Sequence, residues 1–109
     1  MKRRSLADVI RDHIEIVRGP SGPKPRIAGH RIRVQDVVIW HEKLGMSPDE
    51  IVDQHPTITL ADVHAALAYY WDHRDEIERD MAEQRAFVEA FRRRYTGPLR
   101  EKLKRRRLG

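Results

Sequence analysis

The chain of 109 residues contains no cysteine. Disulfide bonds and thiolate metal sites are therefore excluded, and the absence is typical of proteins in a reducing cytoplasm. Apolar runs are short as well, and none approaches the roughly 20 residues that a membrane-spanning helix needs. Charged residues at positions 8, 11 and 12 interrupt the apolar region of a signal peptide. We therefore expect a protein that stays in the cytoplasm.

Patterns of a catalytic or metal site are also missing. The six histidines include no pair spaced by four residues and no H-E-x-x-H motif, so we expect no bound metal. The chain has no glycine-rich phosphate loop, and no serine stands at a suggestive distance from a base. These absences predict no catalytic residue, no cofactor and no enzymatic activity.

Charge is abundant and is sorted into three blocks. Residues 1–33 carry nine Lys and Arg against three acids, a net of +6. Residues 34–91 carry four against thirteen, a net of −9, and residues 92–109 carry nine against one, a net of +8. An acidic middle between two basic ends favours a protein that grips polyanions or acidic partners with its ends.

The N-terminal third is predicted to hold a short helix and two short strands. Ser5–Asp12 has the spacing of one or two helical turns, and His13–Arg18 alternates like a strand. Gly19–Pro25 holds three prolines and two glycines, which predicts a loop. Ile27–Val34 alternates again, so the two strands pair either as a hairpin or across a dimer. A lone two-stranded ribbon is marginally stable, and we expect something to cover it.

Three helices are predicted to follow. The first covers about Gln35–Leu44, and the second opens on the capping box of Ser47 and Glu50 and ends at Pro56. The third begins at Thr59 and meets no breaker before Gly97-Pro98. Its 36 or so residues would span roughly 54 Å, more than the width of a small domain. The part beyond about Arg74 is therefore expected to project or to pack on another chain.

These elements define the predicted fold class. It is mainly α, with a short N-terminal β-hairpin or strand pair, a three-helix core resembling a helix-turn-helix, a long projecting third helix and a basic tail. We divide the chain into a basic N-terminal arm (1–12), a head of strands and three helices (13–73), and an extended helix with its tail (74–109). The tail from Pro98 is expected to be disordered when free.

The second and third helices have the proportions of a DNA-binding helix-turn-helix, joined by about four residues. However, Lys43 is the only cation between Val34 and Trp71, against six acids, and phosphates repel such a surface. A compact core that merely shares the shape remains the alternative. The N-terminal Lys2, Arg3 and Arg4 are further candidates for phosphate contact. The candidate DNA-binding residues are Arg26, Arg31, Arg33, Thr57, Thr59 and His64.

The apolar side of the long helix and the basic tail together suggest a protein-binding surface. Either the long helix folds back so that its apolar side packs on the core of its own chain, or this side forms an interface with another chain. The length of the helix favours the second alternative. For the tail, a merely solubilising terminus is the alternative. The candidate partner-binding residues are Trp71, Ile77, Met81, Phe87, Phe91, Tyr95, Arg100, Arg105, Arg106 and Arg107.

Two blocks of sequence resemble a known bacterial family. They are G-x-R-I-x-V, at Gly29–Val34, and G-M-S-P-x-E-I, at Gly45–Ile51. Within residues 13–73 the chain is similar to the domain-of-unknown-function family numbered four hundred and thirty-three, often identified as VapB-type antitoxins with a homeodomain-like helical core. His30 stands where that family usually has threonine.

The resemblance implies an antitoxin of a type II toxin–antitoxin pair. Its partner would be a small PIN-like ribonuclease toxin whose active site gathers carboxylates around a divalent metal. An arginine-rich arm could pair with those carboxylates bidentately and exclude the metal. The resemblance also implies operator DNA as a second partner, bound by a homodimer or by a toxin–antitoxin hetero-oligomer, and no membrane. Two alternatives stay open: a stand-alone DNA-binding transcriptional regulator without a toxin, and an assembly module whose long helix pairs with itself.

Overall fold

A computed structural model describes residues 5–20 and 22–108, with side chains described at residue 5 and within 7–95. The chain is mainly helical with an N-terminal two-stranded antiparallel sheet, which confirms the coarse prediction. It forms two compact units, one ending at Arg74 and the other beginning at Asp75. The elements are α1 (Leu6–His13), β1 (Ile14–Gly19), β2 (Gly22–Ile27), α2 (Val34–Val38) with a π-helical continuation (Ile39–Lys43), α3 (Pro48–Gln54), α4 (Leu60–Asp72) and α5 (Arg74–Leu108).

The capping box predicted at the start of α3 is present, and α4 begins with a capping box as well. The Ser47 hydroxyl accepts the backbone N–H of Glu50 at 3.1 Å, and the Glu50 carboxylate accepts that of Ser47 at 3.3 Å. Thr59 and Asp62 make the same reciprocal pair at 3.1 and 2.9 Å. Each box satisfies two backbone donors that a helix start leaves without partners. The starts of both helices are therefore set by local sequence.

The second strand lies where the sequence predicted a loop. β2 pairs antiparallel with β1, from Ile14 opposite Ile27 to Gly19 opposite Gly22. The prediction of a loop over Gly19–Pro25 was therefore wrong. The prediction of a strand over Ile27–Val34 was also wrong, because β2 ends at its first residue and a turn follows. The hairpin itself is present, but the segment that forms its second arm begins five residues earlier than predicted.

Pro23 and Pro25 fit in this strand because of the side to which their nitrogens point. The backbone N–H of Ala28 donates to the carbonyl oxygen of His13 at 2.7 Å, which makes these two residues a hydrogen-bonded pair across the hairpin. Backbone N–H groups point to alternate sides along a strand. Both prolines are an odd number of residues from Ala28, so their nitrogens face away from β1. The ladder therefore keeps all its bonds, and proline is tolerated at such edge positions.

The predicted third helix is two helices. α4 ends at Asp72, and His73 leaves the helical conformation with φ −126° and ψ 31°. The Nδ1 atom of His73 lies 3.1 Å from the Tyr69 carbonyl oxygen, and the two rings stack with centroids 4.1 Å apart. The His73 side chain thus contacts the last turn of α4, and the backbone at His73 does not continue the helix. The sequence pattern carried no signal for this break, because histidine is not a strong helix breaker.

α5 also ends later than predicted. It runs through Gly97 and Pro98 to Leu108, so the predicted disordered tail is helical to that residue. The helix continues although Pro98 removes one intrahelical hydrogen bond and its ring crowds the carbonyl of the residue four positions before it. The helix begins with Asp75 and Glu76 in its first turn, and its last turns are rich in arginine. Negative charges near the N-terminus and positive charges near the C-terminus both interact favourably with the helix dipole and so stabilise the two ends of α5.

The core of the first unit is built around α4, which α1, α2 and α3 all contact. The hairpin contributes Ile14 and Ile27, and the connection before α4 contributes Ile58. The π-helical continuation of α2 is closed by a hydrogen bond from the Leu44 N–H to the Ile39 carbonyl oxygen at 2.9 Å. The fully buried large side chains are Ile27, Val34, Val37, Val38, Ile51, Ile58 and Val63.

A polar contact joins α1 to this central helix. The Nδ1 atom of His13 lies 2.7 Å from Oδ1 of Asp62, and the second carboxylate oxygen of Asp62 accepts the Thr59 N–H. Burial acts to raise the pKa of Asp62, but the hydrogen bonds from the Thr59 backbone, His13 and the Thr59 hydroxyl outweigh it and lower that pKa. The carboxylate is thus held in its charged form, with both oxygens occupied.

We predict that Asp62→Asn lowers the free energy of unfolding at pH 7 by about 1–2 kcal/mol, because it removes the charged acceptor of the hydrogen bonds from Thr59 and His13. Since the pKa of Asp62 is lowered in the folded state, its contribution is present above the unfolded pKa of about 4 and is lost as pH falls through the folded pKa. Urea unfolding followed by circular dichroism at pH 7 and pH 3 measures both effects. The matched control is Asp49→Asn, an exposed acid in the first turn of α3. Equal losses in the two variants would contradict the role given to Asp62.

Candidate interaction surfaces

The second unit exposes a row of aromatic side chains. Phe87, Phe91 and Tyr95 follow one another at four-residue intervals, so they share one face of α5. They are 72%, 54% and 56% exposed, and the rings of Phe91 and Tyr95 lie 4.4 Å apart by centroid. We call these three residues the aromatic row. Exposed large apolar side chains in contiguous positions are typical of a binding surface.

The other residues predicted to bind a partner do not all belong to this surface. Ile77 and Met81 are each only 5% exposed, so they are not part of the aromatic row, and their role in partner binding stays a prediction. Trp71 is 58% exposed but lies on α4 in the first unit, with the guanidinium of Arg74 5.9 Å from its ring centroid. The helical pattern treated all of them as one seam because it assumed a single helix across residue 73.

The predicted tail arginines stand near the C-terminal end of the same helix. Arg100, Arg105, Arg106 and Arg107 are in α5 by their backbone, and their side chains lie outside the described residues. Further toward the N-terminus, Arg93 pairs with Glu89 at 3.8 Å. The helix thus carries an aromatic row that overlaps the start of the block of residues 92–109, whose net charge is +8.

The arginines predicted to contact DNA have three different environments. Arg33 sits at the start of α2, and its Nε and Nη2 donate to the carboxylate of Asp36 at 3.3 and 2.9 Å. Its charge is therefore already paired within the fold. Arg31 lies exposed in the turn after β2. Arg26 is half-buried in β2, and its Nε is buried with no hydrogen-bond partner among the described residues.

The polar residues predicted to read DNA lie at the start of α4. Thr57 is exposed in the His55–Thr59 connection, and His64 is exposed on the helix. The hydroxyl of Thr59 caps α4 by accepting the Asp62 N–H, so this side chain has a structural role. The connection between α3 and α4 has five residues, against the four predicted. The helix-turn-helix character stays a prediction.

Lys2, Arg3 and Arg4 lie outside the described residues. In the part of the chain that the structure does describe, no three His, Asp or Glu side chains are grouped closely enough to hold a metal ion. Nor is any helix there long and apolar enough to cross a membrane.

Reasoning from the sequence missed two features of the hairpin. Ile16 is 47% exposed, whereas Ile14, on the same face of β1, is 8% exposed. β2 includes Pro23 and Pro25, and the spacing of these prolines by two residues was the available signal. It marks a strand whose outer edge lacks donors at these positions, and a strand of that kind needs a partner on its inner side.

Comparisons with known proteins place the first unit in a family. The family model described as "Protein of unknown function (DUF433)" matches residues 14–70. The crystal structure of a DUF433 member protein from Anabaena variabilis ATCC 29413 is similar, with a TM-score of 0.59 and 29% sequence identity. The similarity covers 70% of this chain and 74% of that one. No curated protein matches the chain. The family match runs from β1 into α4, and the aromatic row lies beyond it.

We predict that Arg33→Ala lowers the free energy of unfolding by about 0.5–1 kcal/mol, since it removes a bidentate pair at a partly exposed helix start. Arg31→Ala is the matched control, because the Arg31 side chain is exposed and is expected to leave stability unchanged within about 0.5 kcal/mol. Urea unfolding of the two variants at one pH measures the difference. A larger loss for Arg31→Ala would show that the environments assigned to these arginines are wrong.

Proposed function

We propose that this chain, which belongs to the DUF433 family, is the antitoxin of a type II toxin–antitoxin pair. In this proposal α5 and its arginine-rich end bind and neutralise a PIN-like ribonuclease toxin in the cytoplasm. The first unit associates with operator DNA, and the protein acts as a homodimer or within a toxin–antitoxin hetero-oligomer. The single observation that carries the proposal is the aromatic row, which lies exposed on a unit outside the stretch that the family model matches.

The aromatic row supports protein binding on energetic grounds. Aromatic residues are enriched among the few side chains that supply most of an interface's binding energy. Fully burying a side chain the size of phenylalanine is worth about 1.5–3 kcal/mol, and the three rings are each more than half exposed. Burial of these rings in an apolar groove of a partner would therefore stabilise the complex relative to the separate proteins.

The positive charge around and beyond the C-terminal end of the row supports an acidic partner. Residues 92–109 have a net charge of +8, which favours a strongly acidic surface. In a metal-dependent ribonuclease the active-site carboxylates are held close together and repel one another unless a cation is present. A guanidinium can pair with two carboxylate oxygens at once. An arginine from α5 would thereby take the place of the metal and stop catalysis.

A DNA-binding role is supported by the basic N-terminal block, with a net charge of +6 over residues 1–33. Within it, Arg31 is exposed and Arg26 has a polar atom without a partner among the described residues. Arg33 contributes less, because Asp36 already neutralises it. Thr57 lies in the connection before α4 and His64 lies on α4. Acidic residues such as Asp53 and Asp62 are close to them in the sequence. We therefore propose that phosphate contacts come from the turn after β2 and not from α4.

We predict that the combined substitution Phe87→Ser, Phe91→Ser and Tyr95→Ser abolishes neutralisation of the toxin. The toxin to use is the product of the adjacent reading frame, if that frame encodes a small protein with scattered acidic residues. Binding is measured by calorimetry and inhibition by cleavage of a labelled RNA. Removal of three aromatic anchors is expected to raise the dissociation constant at least about 100-fold.

The matched control replaces two exposed apolar residues of the first unit, Leu44→Ser and Leu60→Ser, which are 67% and 43% exposed in the parent protein. This variant is expected to bind and inhibit as the parent does. Retained inhibition by the aromatic-row variant would overturn the antitoxin proposal. Equal impairment of both variants would contradict the specific role given to the aromatic row.

A stand-alone DNA-binding regulator is the second candidate, supported by the same basic N-terminal block. It predicts that the purified chain alone binds the DNA upstream of its own gene with a steep salt dependence. The double substitution Arg26→Ala and Arg31→Ala should then reduce the slope of log K against log salt by about one for each phosphate that the variant no longer neutralises. Tight DNA binding together with no affinity for the adjacent gene product would favour this candidate over the antitoxin.

A further inference from the structure

One face of the hairpin carries a row of three charged residues across neighbouring segments. Arg26 of β2 stands directly opposite Glu15 of β1 in the antiparallel register. On its other side Arg26 forms an antiparallel bridge with Arg33. Directly opposite residues of an antiparallel pair lie on the same face, and like charges in such positions destabilise the pair. Arg26 therefore has a second arginine on one side and depends on a counter-charge from elsewhere.

The two residues that flank Arg26 bond other groups. The Glu15 carboxylate accepts the backbone N–H of Gly29 at 3.3 Å. The Arg33 guanidinium donates to the carboxylate of Asp36, with Nη2 at 2.9 Å from Oδ1. Among the described residues no acid forms an ion pair with Arg26, and no group accepts a hydrogen bond from its side chain. The positive charge of Arg26 is thus left without a counter-ion in this part of the chain.

The guanidinium of Arg26 is only partly open to solvent. Its side chain is half-buried, and Nε is its one nitrogen that is buried without a partner among the described residues. The two terminal nitrogens are therefore accessible to a ligand. A charge in a medium of lower dielectric constant attracts a counter-ion more strongly than a fully hydrated charge does. Arg26 is for this reason a stronger anion site than the exposed Arg18 or Arg31.

We propose that Arg26 binds a phosphate group through its terminal guanidinium nitrogens. A planar guanidinium can donate to two phosphate oxygens at once. The block of residues 1–33 has a net charge of +6, which favours a polyanion over a single carboxylate. A nucleic-acid backbone and a free phosphate compound offer the same chemical group. This inference deepens the DNA-binding part of the proposed function and rests on it only for the source of the phosphate.

The register separates the arginines of the hairpin by face. Lys24 precedes Arg26 by two residues in β2, so it adds a positive charge on the same face. Arg18 stands opposite Pro23, one position away from the pair of Val17 and Lys24, and so lies on the other face. Arg18 therefore offers a control arginine in the same hairpin that the proposed site does not use.

The test follows the Nε–H signal of Arg26 by heteronuclear NMR of the full chain. The protein is titrated with sodium phosphate and, separately, with a short duplex DNA of arbitrary sequence. Sodium acetate at equal ionic strength is the control anion. We expect the signal to shift saturably with a phosphate source and to stay in place with acetate.

Arg26→Lys keeps the charge and removes the planar fork of donors. It should raise the dissociation constant for the phosphate source at least about 10-fold, because a charge-assisted hydrogen bond is lost. Backbone amide signals of the hairpin measure this constant. Arg18→Lys is the matched control and is expected to bind as the parent does. Circular dichroism checks that both variants fold, and the titration of the parent decides the question even if Arg26→Lys does not fold.

Three results would overturn the proposal. The first is an Arg26 signal that responds to neither phosphate source. The second is a response to acetate as large as that to phosphate, which would assign the site to a carboxylate. The third is an equal affinity of Arg26→Lys and Arg18→Lys for the phosphate source.

The two phosphate sources distinguish this inference from the proposed function. Saturable binding of the duplex at Arg26 assigns the site to a nucleic-acid backbone. Saturable binding of free phosphate without binding of the duplex supports the phosphate site and counts against the DNA contacts of the proposed function. Neither measurement involves a toxin, so its outcome is independent of toxin neutralisation.

Discussion

The fold of the first unit depends on the carboxylate of Asp62 and its two hydrogen bonds. One oxygen accepts the backbone N–H at the start of α4, and the other lies 2.7 Å from the ring nitrogen of His13. The first contact is local, but the second joins residues 49 positions apart and holds the junction of α1 and β1 against the central helix. A buried carboxylate without such partners would be costly. Here the partners favour the charged form, and the same group both caps a helix and positions the hairpin.

That arrangement explains how so small a core suffices. The hairpin contributes only Ile14 and Ile27 to the buried set, and two strands alone are marginally stable. Contacts with α4 provide the further stabilisation that the hairpin needs. The prolines in β2 remove no hydrogen bond between the strands, because their nitrogens face away from β1. The outer edge of the hairpin along β2 is closed to another strand at these prolines, and α1 adjoins the outer edge of β1 at Ile14.

The two units suit different tasks. The first matches a family over residues 14–70 and buries its apolar residues in a core. The second is a single helix that carries acids at its start, an aromatic row, and arginines at its end. In the proposed antitoxin the first unit supplies the scaffold and the DNA contacts, whereas the helix supplies the surface for one particular toxin. Such a division would let the helix differ between relatives while the scaffold stays the same.

The sequence by itself determined the features that arise from near neighbours. These are the helical class, the starts of α3 and α4 at Ser47 and Thr59, the end of α2 near Gly45, and the sorting of charge. Capping boxes and turn glycines act within four residues, so their signals are readable in a single sequence. Only the tertiary structure decided that Pro23 and Pro25 lie in a strand and that the long helix breaks at His73. The first depends on the pairing of β2 with β1, and the second on the contact of the His73 side chain with Tyr69. Hydrophobic periodicity along the sequence carries no information about either contact.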